Sequence, residues 1–200
     1  IKGLRNKYFI LYKPKDIVSG DFYWFNRSGN KLIAVAGDCT GHGVPGALMS
    51  ILGISFLEEI IINRRITEPD LILNELSLKV ISALKQKGER NETKDGMDIS
   101  VCVINRVKSS LQFSGAHNNL YLIRNKELKE YSADRLSVGY SDEPGLRFTS
   151  QTIAIIRGDI IYMSTDGYTD QFGGKEHKRY KSQAFKSLLL KIHDRPLPEQ

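Results

Sequence analysis

The sequence predicts an α+β fold in which antiparallel sheets stack face to face and helices cover them. Short runs with the period of strands follow one another as hairpins, and they do not alternate with helices as a parallel sheet requires. Two long helical patterns stand together in the first half of the chain. With 200 residues and 40% apolar side chains, the chain can bury the core that such layers need.

The first part of the chain is predicted to be an antiparallel meander followed by two helices. Strand-like runs cover residues 7–13, 21–27 and 31–37, and the turn-forming sequence Ser-Gly-Asn separates the last two. The first helix is predicted over residues 45–63, and it is expected to be buried because it is apolar on nearly every side. The second, over residues 69–87, is amphipathic, begins at a Glu-Pro-Asp signal and ends before a glycine.

The second part of the chain returns to the period of strands. The predicted strands are residues 99–105, 110–115, 120–124, 128–131, 148–156 and 159–164. A last helix is expected near residues 183–193. The economical arrangement places the two long helices on one face of the stacked antiparallel sheets.

The composition favours an intracellular globular domain. The net charge of +6 indicates either a solvated basic face or a docking surface for an acidic or phosphorylated partner. No basic array interleaved with aromatic residues points to nucleic acid, and the uncharged run over residues 44–57 is too short to cross a bilayer, so no membrane contact is expected. Cys39 and Cys102 have neither metal-type nor disulfide-type spacing, which fits a reduced compartment.

The candidate functional residues are carboxylates at the ends of strands. Asp38 follows an apolar strand and lies among glycines that let the backbone fold tightly around a small ligand. Asp21 lies at the start of the preceding strand, so a hairpin would bring these two carboxylates together. Asp166 again follows a strand and precedes a glycine. Each aspartate alone is also explained by a turn or a helix cap, but three oxygen ligands together suit a hard divalent cation.

Four ordered motifs resemble those of the metal-dependent protein serine/threonine phosphatases of the protein phosphatase 2C (PP2C) type, specifically the bacterial SpoIIE-like branch that includes RsbU. The motifs are KPKDIVSGDFYW at residues 13–24, GDCTGHGVPGA at 37–47, SGAHN at 114–118 and GDIIYMSTDGYTD at 158–170. They extend over nearly the whole chain. The resemblance implies a four-layer α/β/β/α sandwich with a two-metal site for Mn2+ or Mg2+ at one end of the sheets.

The resemblance also implies the metal ligands. Asp38 is similar to the ligand that bridges both metals, and it is therefore also predicted to be catalytic. Asp21 and the main-chain carbonyl of Cys39 are similar to ligands of the second metal, and Asp166 is similar to a ligand of the first. The implied reaction is attack of a metal-activated water on phosphorus without a covalent phosphoenzyme. A nucleophilic cysteine is not required, and the nearby carboxylates are expected to raise the pKa of the Cys39 thiol.

Other polar residues in the motifs receive separate predictions. His42 matches a position where an imidazole could transfer a proton to the leaving alkoxide, and a structural hydrogen bond that orders its loop is an equal alternative. His117 is expected to be structural. Asp95, Asp98 and Asp170 are expected to have capping or surface roles.

We expect residues 1–200 to form a single phosphatase domain that belongs to a longer protein, because the chain begins without Met. Members of the family continue into a final strand with an Asp-Asp pair that supplies a ligand of the first metal, and this chain ends before such a strand. One Mn2+ ion is therefore expected to bind better than two. Two equivalent tight sites in a calorimetric titration would contradict this expectation.

The expected function is dephosphorylation of a phosphoserine or phosphothreonine protein. The resemblance implies that the substrate is a phosphorylated anti-sigma-factor antagonist with a STAS-type fold. The domain is expected to be cytoplasmic, alone or as the cytoplasmic part of a membrane-bound or multidomain sensor. Homodimerisation through upstream helices is an open expectation. The alternatives are a pseudophosphatase that binds a phosphoprotein without hydrolysis and a two-metal phosphoesterase that acts on nucleotides.

Overall fold

The computed structural model of the chain describes residues 7–89, 94–141, 145, 147–173 and 177–200. Its strands are β1 (Phe22–Ser28), β2 (Lys31–Cys39), β3 (Met97–Asn105), β4 (Ser110–Ala116), β5 (Leu120–Arg124), β6 (Glu127–Tyr131), β7 (Gln151–Ala154), β8 (Ile160–Met163), β9 (Phe172–Gly173) and β10 (Lys178–Arg179). Its α-helices are α1 (Gly43–Glu58), α2 (Pro69–Ala83) and α3 (Lys181–Ile192).

The strands form two larger sheets and one short ribbon. The five-stranded sheet has the order β1-β2-β3-β4-β7, the three-stranded sheet has the order β6-β5-β8, and β9 pairs with β10. Every pairing between these named strands is antiparallel. A turn with Gly29 at a φ of 58° joins β1 to β2, as its Ser-Gly-Asn sequence predicts.

Three apolar clusters show how the layers stack. The first cluster packs α1 and α2 against the five-stranded sheet, and includes Leu57 and Leu76 from the helices and Val35 from β2. The second fills the space between the two sheets, where Phe113 of β4 packs with Leu122 of β5. The third packs α3 against the outer face of the three-stranded sheet. The predicted antiparallel sheets covered by helices are confirmed, and they form four layers in the order α/β/β/α.

The structure corrects three predicted elements. Residues 7–13 form no strand although all of them are described, and Tyr8 packs against Phe25 and Tyr12 against Tyr23. Helix α2 ends at Ala83, several residues before the glycine that the sequence suggested. The strand predicted over residues 148–156 is shorter, because only the residues of β7 pair with β4.

The prediction that the first helix is buried is wrong for one of its faces. Val44, Leu48 and Ile51 are 63% to 65% exposed, whereas Gly53 and Leu57 lie in the core. The three exposed residues recur at intervals of four and three, so they form one apolar stripe on α1. The sequence did not show this face because apolar residues occur on both sides of the helix.

Helix α1 continues directly into a π-helical turn, Glu59–Asn63. The combined segment Gly43–Asn63 is long and apolar enough, by length and composition alone, to cross a membrane, and 39% of its apolar window is buried in this fold. Core helices of soluble domains pass the same test. Its buried side lies against the five-stranded sheet, as the first apolar cluster shows.

Candidate metal centre

The register of the five-stranded sheet places two of the predicted aspartates side by side. Strand β1 pairs with β2 so that Phe22 lies opposite Gly37, and extending this register by one residue sets Asp21 opposite Asp38. Phe22 and Cys39 belong to the cluster under the helices. Because side chains alternate along a strand, Asp21 and Asp38 lie on the opposite face, which looks toward the second sheet.

The third aspartate reaches the same place from the other sheet. Strand β8 ends at Met163, and Asp166 begins the 3-10 turn that follows. Its charge acts on both Asp21 and Asp38, and its carboxyl is in hydrogen-bonding contact with that of Asp38. The structure therefore brings together the three carboxylates that are far apart in the sequence, at one end of the cleft between the sheets.

The three carboxyl groups disturb one another's ionisation. Burial, with the negative charges of Asp21 and Asp166, raises the pKa of Asp38 to about 7. Burial also raises the pKa of Asp21, against the opposing effect of its contacts with Thr165 and Asp38. The pKa of Asp166 is raised by partial burial and by the charge of Asp170. A proton held on Asp38 would relieve the repulsion in this cluster, and so would a bound cation.

The donor set fits a hard divalent cation. The Oδ1 atom of Asp21 is buried without a hydrogen-bond partner. A buried oxygen without a partner costs free energy, and coordination of a metal ion by this oxygen would remove that cost. Within the described parts of the chain, no three His, Cys, Asp or Glu side chains are already spaced to hold an ion. The aspartates thus form a convergent cluster of oxygen donors and not a finished coordination shell.

Close backbone packing surrounds the carbonyl of Cys39, the fourth predicted ligand. A Cβ atom on Gly20 would lie 3.0 Å from the carbonyl oxygen of Cys39 and 2.9 Å from that of Gly41. A Cβ atom on Gly46 would lie 2.5 Å from the carbonyl oxygen of Gly41. These contacts explain why the motif needs small residues there. The carbonyl of Cys39 stays a predicted ligand.

The thiol of Cys39 behaves as predicted. It is buried in the cluster under the helices. Burial, followed by the charges of Asp38 and Asp21, raises its pKa to about 12. Such a thiol is almost entirely protonated at neutral pH, so Cys39 contributes packing and not nucleophilic chemistry.

His42 lies in the loop that joins β2 to α1. It occupies the N-cap position of α1, its side chain is 85% exposed, and its Nδ1 atom lies 3.7 Å from Oδ2 of Asp16. At this distance the two side chains form no hydrogen bond, so both roles predicted for His42, proton transfer and ordering of the loop, stay predictions. His117 has a φ of 58°, and its backbone N–H donates to the carbonyl of Asp134, which agrees with a structural role.

Sequence reasoning missed a fourth carboxylate. Asp98 of β3 lies opposite Asp38 and acts electrostatically on both Asp38 and Asp166. Its Oδ1 atom accepts a hydrogen bond from Ser137 at 2.7 Å, and its carbonyl accepts one from the side chain of Asn118 at 2.8 Å. The predicted capping or surface role of Asp98 is therefore wrong. Only the pairing of β2 with β3, which the sequence does not give, could have revealed it.

Known proteins share the fold of this chain over most of its length. The family model of stage II sporulation protein E (SpoIIE) matches residues 28–200. The SiaA-PP2C domain of Pseudomonas aeruginosa is similar in structure, with a TM-score of 0.84 and 32% identity over 96% of this chain and 73% of that one. No curated protein sequence matches the chain.

Two further solved structures share the fold at lower identity. The RsbU and RsbW domains of a Mycobacterium tuberculosis protein have a TM-score of 0.69 and 21% identity, with 92% of this chain and 49% of that one covered. The PP2C phosphatase domain and regulatory-domain fragment of SpoIIE from Bacillus subtilis have a TM-score of 0.62 and 20% identity, with 78% and 44% covered. This chain spans less than half the length of each of these two, and the likeness to them establishes the fold alone.

Proposed function

The chain belongs to the SpoIIE family of PP2C-type phosphatase domains, and we propose on that premise that it is a metal-dependent phosphatase acting on phosphoserine or phosphothreonine in a partner protein. The observation that carries the proposal is the convergence of Asp21, Asp38 and Asp166, whose pKa values are all raised. A scaffold that only binds a partner has no need for three mutually repelling carboxylates at one point. The pseudophosphatase alternative is therefore less well supported.

The carboxylates of Asp21, Asp38 and Asp166 and the carbonyl of Cys39 would hold Mn2+ or Mg2+. Such ions, when bound, activate a water molecule and neutralise charge on the phosphoryl oxygens. His42 follows Asp38 by four residues in the sequence, and its side chain is exposed beside Asp16. We assign to it delivery of a proton to the leaving serine or threonine oxygen, with the Asp16 carboxylate orienting the ring.

A protein substrate accounts better for the surroundings of the site than a nucleotide does. Helix α1 begins next to His42 and presents the exposed apolar stripe of Val44, Leu48 and Ile51 to solvent. A stripe of this kind favours contact with another protein, and the net charge of +6 favours a phosphorylated or acidic one. We propose a STAS-type phosphoprotein as the partner and the cytoplasm as the compartment, with a dimer formed through helices upstream of this domain.

The proposal is tested by offering phosphate esters side by side. With Mn2+ present, the chain is expected to release phosphate from a phosphoserine protein, and EDTA is expected to stop the release. A nucleoside triphosphate should be hydrolysed much more slowly. Preferential hydrolysis of the nucleotide would point to the phosphoesterase alternative, and stable binding of the phosphoprotein without release would point to the pseudophosphatase.

A further inference from the structure

Arg179 forms an ion pair with Asp170 and has no role in the reaction proposed above. Its Nε atom donates to Oδ1 of Asp170 at 2.8 Å, and its Nη2 atom pairs with Oδ2 of the same carboxylate. Half of the Arg179 side chain is exposed. The pairing is thus bidentate and fixes the plane of the guanidinium group.

The residues around Arg179 tie it to the turn that carries Asp166. The backbone N–H of Asp170 and the hydroxyl of Thr169 both donate to the carbonyl of Asp166, each at 2.9 Å. The backbone N–H of Tyr180, the residue after β10, donates at 2.9 Å to the carbonyl of Gln171, which lies three residues after the same turn. The guanidinium also lies within electrostatic reach of the cluster, because its charge opposes the rise in the pKa of Asp166.

The pairing with Asp170 leaves some N–H donors of the guanidinium group able to bind another acceptor. Arg has five N–H donors arranged as two forks, and a carboxylate bound through Nε and Nη2 occupies one fork. The second fork, formed by Nη1 and the outer hydrogen of Nη2, has no acceptor within the described residues. This fork matches two oxygens of a phosphate group.

We propose that Arg179 binds the phosphate group of the substrate through its second fork, while Asp170 holds the guanidinium plane beside Asp166. The proposal rests on the proposed phosphatase function and deepens it, because it assigns a residue of this chain to recognition of the phosphoryl group. A phosphate ester brings about two negative charges toward four aspartates. Arg179 would offset that repulsion on the side where Asp166 lies.

Inorganic phosphate is the probe that tests this site without relying on turnover. Titration of phosphate into the Mn2+-saturated chain is expected to show binding that Arg179→Gln weakens by about 10- to 100-fold, the loss typical of a hydrogen bond to a charged group. Arg179→Lys, which keeps the charge and loses the fork, should fall in between. The matched control is Arg157→Gln. It removes an exposed arginine that precedes β8, whereas Asp166 follows that strand, and it should leave the affinity for phosphate unchanged.

Two results would overturn the assignment. Phosphate affinity that is unchanged in Arg179→Gln would exclude contact with the phosphate. A weakened Mn2+ affinity, with phosphate affinity unchanged at saturating Mn2+, would show that Arg179 only positions the turn of Asp166. A third result would separate the two proposals. If phosphate binding depends on Arg179 but the protein hydrolyses no phosphoprotein, the phosphate site is supported and the proposed phosphatase function is contradicted.

Discussion

Asp38→Asn is expected to abolish Mn2+-dependent phosphate release and, at the same time, to stabilise the metal-free protein. Asp38 interacts with both other aspartates that are predicted to be ligands, so its loss removes the shared member of the cluster. Changes in the outer partners of metal ligands alone cost about 10- to 100-fold in metal affinity or activity. A direct ligand should cost more, and we expect at least about a 100-fold fall in phosphate release, measured with a phosphoserine protein at saturating Mn2+.

The gain in stability follows from the raised pKa of Asp38. Its pKa is about 7 in the fold against 3.8 as an unperturbed group, so between these values the folded state binds more protons than the unfolded state. The stability of the metal-free wild type therefore falls as the pH rises from about 4 to about 7. Asparagine carries no charge at any pH, so the advantage of the variant should grow across that window and level off above it.

Thermal melts in EDTA at pH 5 and pH 8 measure this effect. At pH 8 the melting temperature of Asp38→Asn should exceed that of the wild type by several degrees, since about 1 kcal/mol corresponds to 2–4 °C in a domain of this size. Asp194→Asn makes the same chemical change at an exposed position and should shift neither activity nor melting. A less stable Asp38→Asn protein at pH 8 would contradict the mutual repulsion of the aspartates.

The layers of the fold and three of the four carboxylates could be predicted from local sequence patterns, each from a different kind of pattern. The strand and helix periods identified most elements, because each buried face leaves a repeat in the sequence. Asp21, Asp38 and Asp166 stood out because each sits where an apolar strand ends beside small residues. That three such oxygen ligands suit a divalent cation followed from their chemistry, whereas the assignment of each ligand to one of two metals came from the resemblance to a family.

What the sequence could not supply was the relation between elements distant in the chain. Asp98 was misassigned because its importance depends on lying opposite Asp38 across a strand pair. The bond between Arg179 and Asp170 likewise depends on how the β9–β10 ribbon folds back. The exposed stripe on α1 was hidden because apolar residues surround that helix, and composition does not tell which face meets the core.

Gly46→Ala is expected to destabilise the protein even though it places the strongest helix former inside a helix. By helix propensity alone, alanine in place of glycine in a helix interior raises the free energy of unfolding by about 1 kcal/mol. Here the new Cβ would lie 2.5 Å from the carbonyl oxygen of Gly41 and 3.1 Å from the Cα of Gly20. Both are backbone atoms, so the loop between β2 and α1 must move as a whole.

We expect a net loss of about 1–3 kcal/mol from this overpacking, which corresponds to a fall of about 2–12 °C in melting temperature. Mn2+ affinity should also fall, because the displaced loop carries the carbonyl of Cys39 and adjoins Asp38. Gly173→Ala is the matched control, since a Cβ there would meet nothing within 4 Å. A Gly46→Ala protein that melts higher than the wild type and binds Mn2+ normally would show that the loop can yield, and that the close approach of Gly46 to Gly41 is not what shapes the candidate centre.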